Sequence, residues 1–126
     1  MSARPDECES EQDRLLRLVR KAMSNYQTTP CFEWEETARQ TASNRCFGIE
    51  ARELKRLAVK HVLRDGGRIG IVQEKDEEWL GKRRFGYWFK VCFPVEDAGE
   101  VFMKIALVND DEDYPEARIV GAHESL

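Results

Sequence analysis

The last predicted strand of this chain ends on a histidine, a residue type that can do acid–base chemistry. His123 lies in the segment EARIVGAHES, from Glu116 to Ser125. Neutral imidazole near pH 7 either accepts or donates a proton, which makes His123 a candidate general acid or base. The competing interpretation is a histidine with no chemical role at a frayed strand end.

A dense basic cluster stands just before another predicted strand. The segment GKRRFGYW places Lys82, Arg83 and Arg84 ahead of a strand that begins at Tyr87. Cationic side chains at a strand entrance can hold a phosphate and stabilise negative charge as it develops. The alternative is a solvated basic loop that balances the acidic residues EKDEE before it.

The remaining reactive residue types form no metal or cofactor site. The four cysteines are not arranged as C-x-x-C and none stands a few residues from a histidine, so we predict no metal ligands and free thiols. His61 falls on the apolar stripe of a predicted helix, which is typical of a core or boundary histidine. The acidic run NDDEDYPE lacks the spacing of a calcium loop. The sequence has no glycine-rich phosphate loop, so we predict no bound cofactor.

Helical periodicity fills the first half of the chain. Apolar residues recur at helical spacing in three segments, at about Ser10–Asn25, Cys31–Arg45 and Glu50–Arg64. Gly66 and Gly67 end the third helix. The pattern predicts one domain over residues 1–126, with a leader at 1–9 and a helical part at 10–65.

Residues 66–126 follow a period of two, which is typical of strands. The predicted strands are RIGIVQE, GYWFKVCFPVE, VFMKIALV and ARIVGAH, and short connections make neighbours antiparallel. The order of helices and then strands predicts an α+β fold. Its N-terminal helices pack on one face of a three- to four-stranded, mostly antiparallel meander.

Alternation divides the strand residues between two faces of this sheet. One face is apolar and is expected to meet the helices, with His123 on this side by parity unless a β-bulge turns it outward. It carries Tyr87, Phe89, Val91, Phe93, Val101, Met103, Ile105, Leu107 and Ile119. The opposite face carries Trp88, Lys90, Cys92, Phe102, Lys104, Ala106, Val108, Arg118, Val120 and Ala122.

The opposite face is more aromatic and cationic than a sheet face turned to water normally is. Rings and cations together suit single-stranded RNA, because rings stack on bases and cations meet phosphates. They suit a protein interface equally well. A helix of the chain itself or a second copy of it would also cover such a face.

Charge and hydropathy restrict the function classes. The net charge is −4, with 12 Lys and Arg against 11 Asp and Glu in residues 1–65 and 8 against 13 in residues 66–126. An acidic balance disfavours a general nucleic-acid binder, so nucleic-acid binding needs a local basic patch. The polar, acidic start is unlike a signal peptide and no apolar run spans a bilayer, so we expect a cytoplasmic protein without membrane contact.

The order of these motifs resembles the small ribonuclease toxins of bacterial toxin–antitoxin modules that have the RelE-like fold. The resemblance covers about residues 50–125 and is carried by a helix, then RIGIVQE, basic residues, YWFKVCFPV, VFMKIALV and ARIVGAH. It implies a metal-independent endoribonuclease in which the RNA 2′-hydroxyl is the nucleophile, inhibited by an antitoxin-like protein partner.

The resemblance also implies roles for particular residues. Arg84 or Lys82 would stabilise the phosphate, and His123 would act as acid or base. Lys90, Lys104 and Arg118 would line the face that binds RNA, beside Trp88 and Phe102.

The acidic charge and the long helical segment before residue 45 depart from this family's pattern. The alternative is therefore a non-catalytic bacterial interaction module, which binds another protein or forms a homodimer through the Trp88 and Phe102 face.

Overall fold

Over the residues that it describes, the computed structural model has an α+β fold with three helices on one face of a five-stranded sheet. It describes residues 9–27, 31–75 and 86–125, so the predicted phosphate-stabilising residues Lys82 and Arg84 lie outside the described residues. The helices are α1 (Glu11–Ser24), α2 (Glu36–Arg45) and α3 (Ala51–Leu63). The strands are β1 (Phe32–Trp34), β2 (Gly70–Gln73), β3 (Tyr87–Val95), β4 (Gly99–Asn109) and β5 (Glu116–Glu124).

The first helix begins and ends close to where the sequence predicts. The hydroxyl of Ser10 caps it by accepting a hydrogen bond from the amide of Asp13 at 3.1 Å. Acidic residues lie in its first turn and Lys21 in its last, which suits the helix dipole. Its apolar stripe is fully buried and consists of Leu15, Leu18, Val19, Ala22 and Met23.

The predicted second helix is wrong in its first residues. Phe32–Trp34 form β1, and the helix begins only at Glu36. The amide of Glu35 donates to the carbonyl of Ile119 at 2.9 Å, and the carbonyl of Cys31 accepts from the amide of Ala117 at 2.8 Å. Pairing with a strand more than 80 residues away along the chain therefore overrides the local helical pattern.

The sheet is a meander with one added parallel strand. Its order is β1-β5-β4-β3-β2, in which β2 to β5 are antiparallel to their neighbours and β1 is parallel to β5. The antiparallel meander was predicted, whereas a sheet of three to four strands is one strand too few. The missing strand is β1, which has only three residues.

The core lies between the helices and one face of the sheet. Buried side chains of all three helices and of β3 to β5 form one contiguous apolar cluster, as the alternation pattern predicts. Burying one such side chain contributes roughly 1.5–3 kcal/mol to stability. On the sheet side the cluster includes Phe89, Val91, Phe93, Val101, Met103, Ile105, Leu107 and Ile119, while Tyr87 is only half-buried against it.

Candidate functional site

The sheet face away from the helices gathers the aromatic and cationic residues that the sequence analysis placed there. In the described part of the chain the helices all pack on the other side, so no described helix covers this face. Its aromatic residues are half-buried among their neighbours, and Lys90 and His123 are exposed. We call it the open face, and it carries Trp88, Lys90, Cys92, Phe102, Lys104, Arg118, Gly121 and His123.

A β-bulge in β5 decides which way His123 points. Lys104 pairs with Gly121, but the next residue of β4, Ile105, pairs with Ile119, so Val120 is the extra residue. The bulge reverses the alternation after Val120 and brings His123 opposite Phe102. His123 therefore lies on the outer face and not on the Ile119 side, which is the outcome expected if a β-bulge is present.

The same bulge corrects the predicted position of Ala122. Simple alternation put this residue on the outer face, yet its side chain is 2% exposed and belongs to the core cluster. On this side Ala122 lies beside Met103, its buried partner on β4.

Three rings form a continuous group across β3, β4 and β5. The centroid of Trp88 lies 6.1 Å from that of Phe102, with the rings inclined at 64°. The rings of Phe102 and His123 are stacked, with centroids 5.0 Å apart and planes inclined at 18°. Such edge-to-face and offset arrangements are the favoured geometries of aromatic pairs.

The imidazole of His123 has a defined hydrogen bond. Its Nδ1 lies 2.9 Å from the backbone carbonyl oxygen of Glu124. A carbonyl oxygen only accepts, so Nδ1 carries the proton and Nε2 of the neutral ring keeps its lone pair. The exposed ring therefore presents an acceptor nitrogen that is able to take up a proton.

The cations of the open face differ in how they are held. Lys90 and Lys104 are direct cross-strand neighbours, and neither makes an ion pair within the described residues. The ammonium of Lys104 lies 4.5 Å from the centroid of the Trp88 ring, which is a cation–π contact. Arg118 lies on the same face but is bound to Glu116, with Nη2 3.2 Å from Oε1.

Two residues of the open face were not predicted as site residues. Gly121 lies beside Lys104 on β5, and a glycine within a strand is a recognisable sign of close approach or of a bulge. Cys92 lies opposite Phe102, and partial burial raises the pKa of its thiol. A raised pKa keeps the thiol protonated at neutral pH and makes it a poor nucleophile.

Within the ranges 9–27, 31–75 and 86–125, no group of three or more His, Cys, Asp or Glu side chains could hold a metal ion. In the same ranges, no helix is long and apolar enough to cross a membrane.

Comparison of the chain with protein-family models, with curated proteins and with solved structures finds no match in any of the three.

Proposed function

We propose that the open face binds single-stranded RNA and that the protein is a metal-independent endoribonuclease of the RelE-like kind, or a fold relative of one. The observation that carries the proposal is the joint placement of three rings, one of them the imidazole of His123, and two lysines without an ion pair among the described residues, on a sheet face that no described helix covers. Rings and cations are the two components that single-strand binding requires.

The substrate supplies the nucleophile in this reaction. The RNA 2′-oxygen attacks the adjacent phosphorus, the bond from phosphorus to the 5′-oxygen breaks, and the products are a 2′,3′-cyclic phosphate and a 5′-hydroxyl. One proton leaves the 2′-hydroxyl and one proton is added to the departing 5′-oxygen. DNA lacks the 2′-hydroxyl, so the proposal also predicts that DNA is bound but not cut.

His123 and the lysines supply the proton transfer and the positive charge that the RNA itself cannot supply. Nε2 of His123 can take the proton of the 2′-hydroxyl, or the imidazolium can donate to the 5′-oxygen. Lys90 and Lys104 neutralise charge on the phosphorane-like transition state. Lys82 and Arg84, which lie outside the described residues, are proposed to add to this stabilisation.

A ribonuclease in the cytoplasm would need to be restrained. The family resemblance supplies the expected form of restraint, an antitoxin-like protein that binds the enzyme. The open face is the surface such a partner would cover, because the rings and lysines that bind RNA are also typical of a protein interface.

The test compares His123→Phe with the wild type. Phenylalanine keeps an aromatic ring to stack on Phe102 but cannot transfer a proton. We expect RNA binding to persist and cleavage in the presence of a metal chelator to fall by roughly a hundredfold or more, the usual contribution of an acid–base group. Expression of the wild type should arrest growth and expression of His123→Phe should not.

His61→Gln is the matched control, because His61 lies on α3, away from the open face. It should cut RNA at the wild-type rate. A wild-type protein that neither arrests growth nor cuts RNA, or a His123→Phe variant that cuts at full rate, would contradict the proposal.

Self-association through the open face is the second candidate. Trp88, Cys92 and Phe102 are half-buried within one protomer, and a second copy would complete their burial. Exposed Lys90 disfavours this candidate, because two such faces brought together place unpaired ammonium groups in one interface.

A further inference from the structure

We propose that Gly121 keeps open a binding position for one phosphate group of a single-stranded polynucleotide, bordered by Lys104 and His123. We call this position the phosphate cell. The inference rests on the proposed RNA-binding function and adds to it the place of a backbone phosphate and the residue that makes room for it.

The strand register creates the cell. Lys90, Lys104 and Gly121 form one row across β3, β4 and β5, because Lys104 pairs with both of the others. His123 follows Gly121 on the same side of β5, since the bulge at Val120 lies before both of them. A cation and an imidazole thus flank Gly121, a position that has no side chain.

The space above Gly121 is empty. Apart from its two chain neighbours, a Cβ atom added there would meet no heavy atom of the described residues within 4 Å. Gly70 on β2 pairs with Lys90 and so extends this row, but it is different, because a Cβ there would lie 2.9 Å from side-chain carbons of Lys90. The backbone at Gly121 is not in the left-handed region, so its conformation does not require glycine.

The charges around the cell call for an anion. Like charges directly opposite each other on adjacent strands are unfavourable, and Lys90 and Lys104 are such a pair. Neither has a carboxylate partner within the described residues. A phosphate beside Lys104 would neutralise this repulsion, and Nε2 of a protonated His123 would add a second donor.

The rings on both sides favour a polynucleotide phosphate over a free anion. In the unbound protein the Lys104 ammonium rests over the ring of Trp88. A phosphate that draws this ammonium toward Gly121 would uncover the Trp88 ring for a base. Phe102 and His123 form a second stacked surface beyond the cell. Phosphate binding and base stacking would then support each other.

The experiment measures binding of a fluorescent 2′-O-methyl oligouridylate of seven nucleotides, which cannot be cut because its nucleophile is blocked. We expect Gly121→Val to weaken binding by roughly tenfold or more, the loss of about one charge-assisted contact. Lys104→Gln should lower the salt slope by about 0.7, the value for one phosphate of a single strand. Inorganic phosphate alone should compete only weakly, since it offers no bases.

Val108→Leu is the matched control, because it enlarges an exposed side chain further along β4, and it should bind like the wild type. Thermal unfolding checks that Gly121→Val is folded, and Gly121→Ala, with its smaller side chain, replaces it if valine prevents folding. Unchanged binding by the folded Gly121 variants overturns the phosphate cell and leaves RNA binding standing. No binding by the wild type overturns the proposed function itself. Competition by inorganic phosphate as strong as that by the oligonucleotide overturns the assignment to a polynucleotide.

Discussion

At the scale of single residues, Val120, the extra residue of β5, controls the chemistry of the open face. Without Val120 as the extra residue of β5, His123 would point into the core side and Ala122 outward. With it, the imidazole stacks on Phe102 and its Nδ1 is fixed by the Glu124 carbonyl. Deletion of Val120 would therefore remove the candidate acid or base without changing the residue itself.

A buried thiol makes stability depend on pH in alkaline solution. Burial raises the pKa of Cys46 from 9.0 to about 11. Between these values the unfolded chain loses this proton and the folded protein keeps it, so the free energy of unfolding falls as pH rises from 9 to 11. We expect the wild type to lose roughly 2 kcal/mol more than Cys46→Ala over this range, by urea denaturation in reductant.

Below about pH 8 the thiol is protonated in both states, and the difference between the two proteins should stay constant. Stability curves of wild type and Cys46→Ala that run parallel from pH 8 to pH 11 would show that Cys46 is not buried as described.

At the scale of elements, ion pairs tie α1 to the connection between β4 and β5. Arg14 lies 3.1 Å from Asp110 and 3.0 Å from Glu112, and Arg17 also contacts Glu112 at 3.0 Å. The hydrogen bond from Arg17 is the main reason that the pKa of Glu112 is lowered. Because these groups are partly exposed, each pair stabilises by less than about 1 kcal/mol. Their common effect is to hold α1 on the core side, away from the open face.

The apolar stripe of α1 should contribute far more than these ion pairs. Leu18 is fully buried and Leu63, at the end of α3, is 37% exposed. We expect Leu18→Ala to lower the free energy of unfolding by about 2–5 kcal/mol and Leu63→Ala by less than about 1 kcal/mol. Urea denaturation measures both losses. Because both variants replace leucine by alanine within a helix, the change in helix propensity is about the same in each. Equal losses would mean that α1 does not pack on the sheet.

At the scale of the whole molecule, charge is separated rather than balanced everywhere. The chain carries −4 overall, yet the middle of the open face holds Lys90 and Lys104 without carboxylate partners among the described residues. Acidic residues concentrate in the connections, where Asp110 and Glu112 are already bound to arginines of α1. A local basic patch on an acidic protein favours binding of nucleic acid at that patch alone over general nucleic-acid binding by the whole surface.

The oligomeric state distinguishes the two candidate functions. If the open face binds RNA, we expect the wild type to sediment as a monomer, and Phe102→Glu to do so too while losing RNA binding through the lost ring. Self-association instead predicts a dimer that Phe102→Glu splits, because a carboxylate would enter an apolar contact. Leu63→Glu, on a helix away from this face, should leave either state unchanged. A dimer resistant to Phe102→Glu would contradict the second candidate.

The sequence by itself determined the features that depend on local periodicity. The 3.6-residue pattern around Leu15 to Met23 and the alternation in β3 and in β4 as far as Ile105 follow from which side of an element each residue faces. These patterns were enough to place Trp88, Lys90, Phe102 and Lys104 together on one face, because neighbouring strands joined by a short turn must pair.

Only the tertiary structure decided which distant segments pair and where a strand departs from simple alternation. Phe32–Trp34 become a strand because β5 offers its edge, and His123 turns outward because β5 has one residue more than β4 between two paired positions. Neither fact is written in the local sequence, since both depend on the register of strands brought together by the core. The contact of Lys104 with Trp88 and the empty space above Gly121 follow from that register in turn.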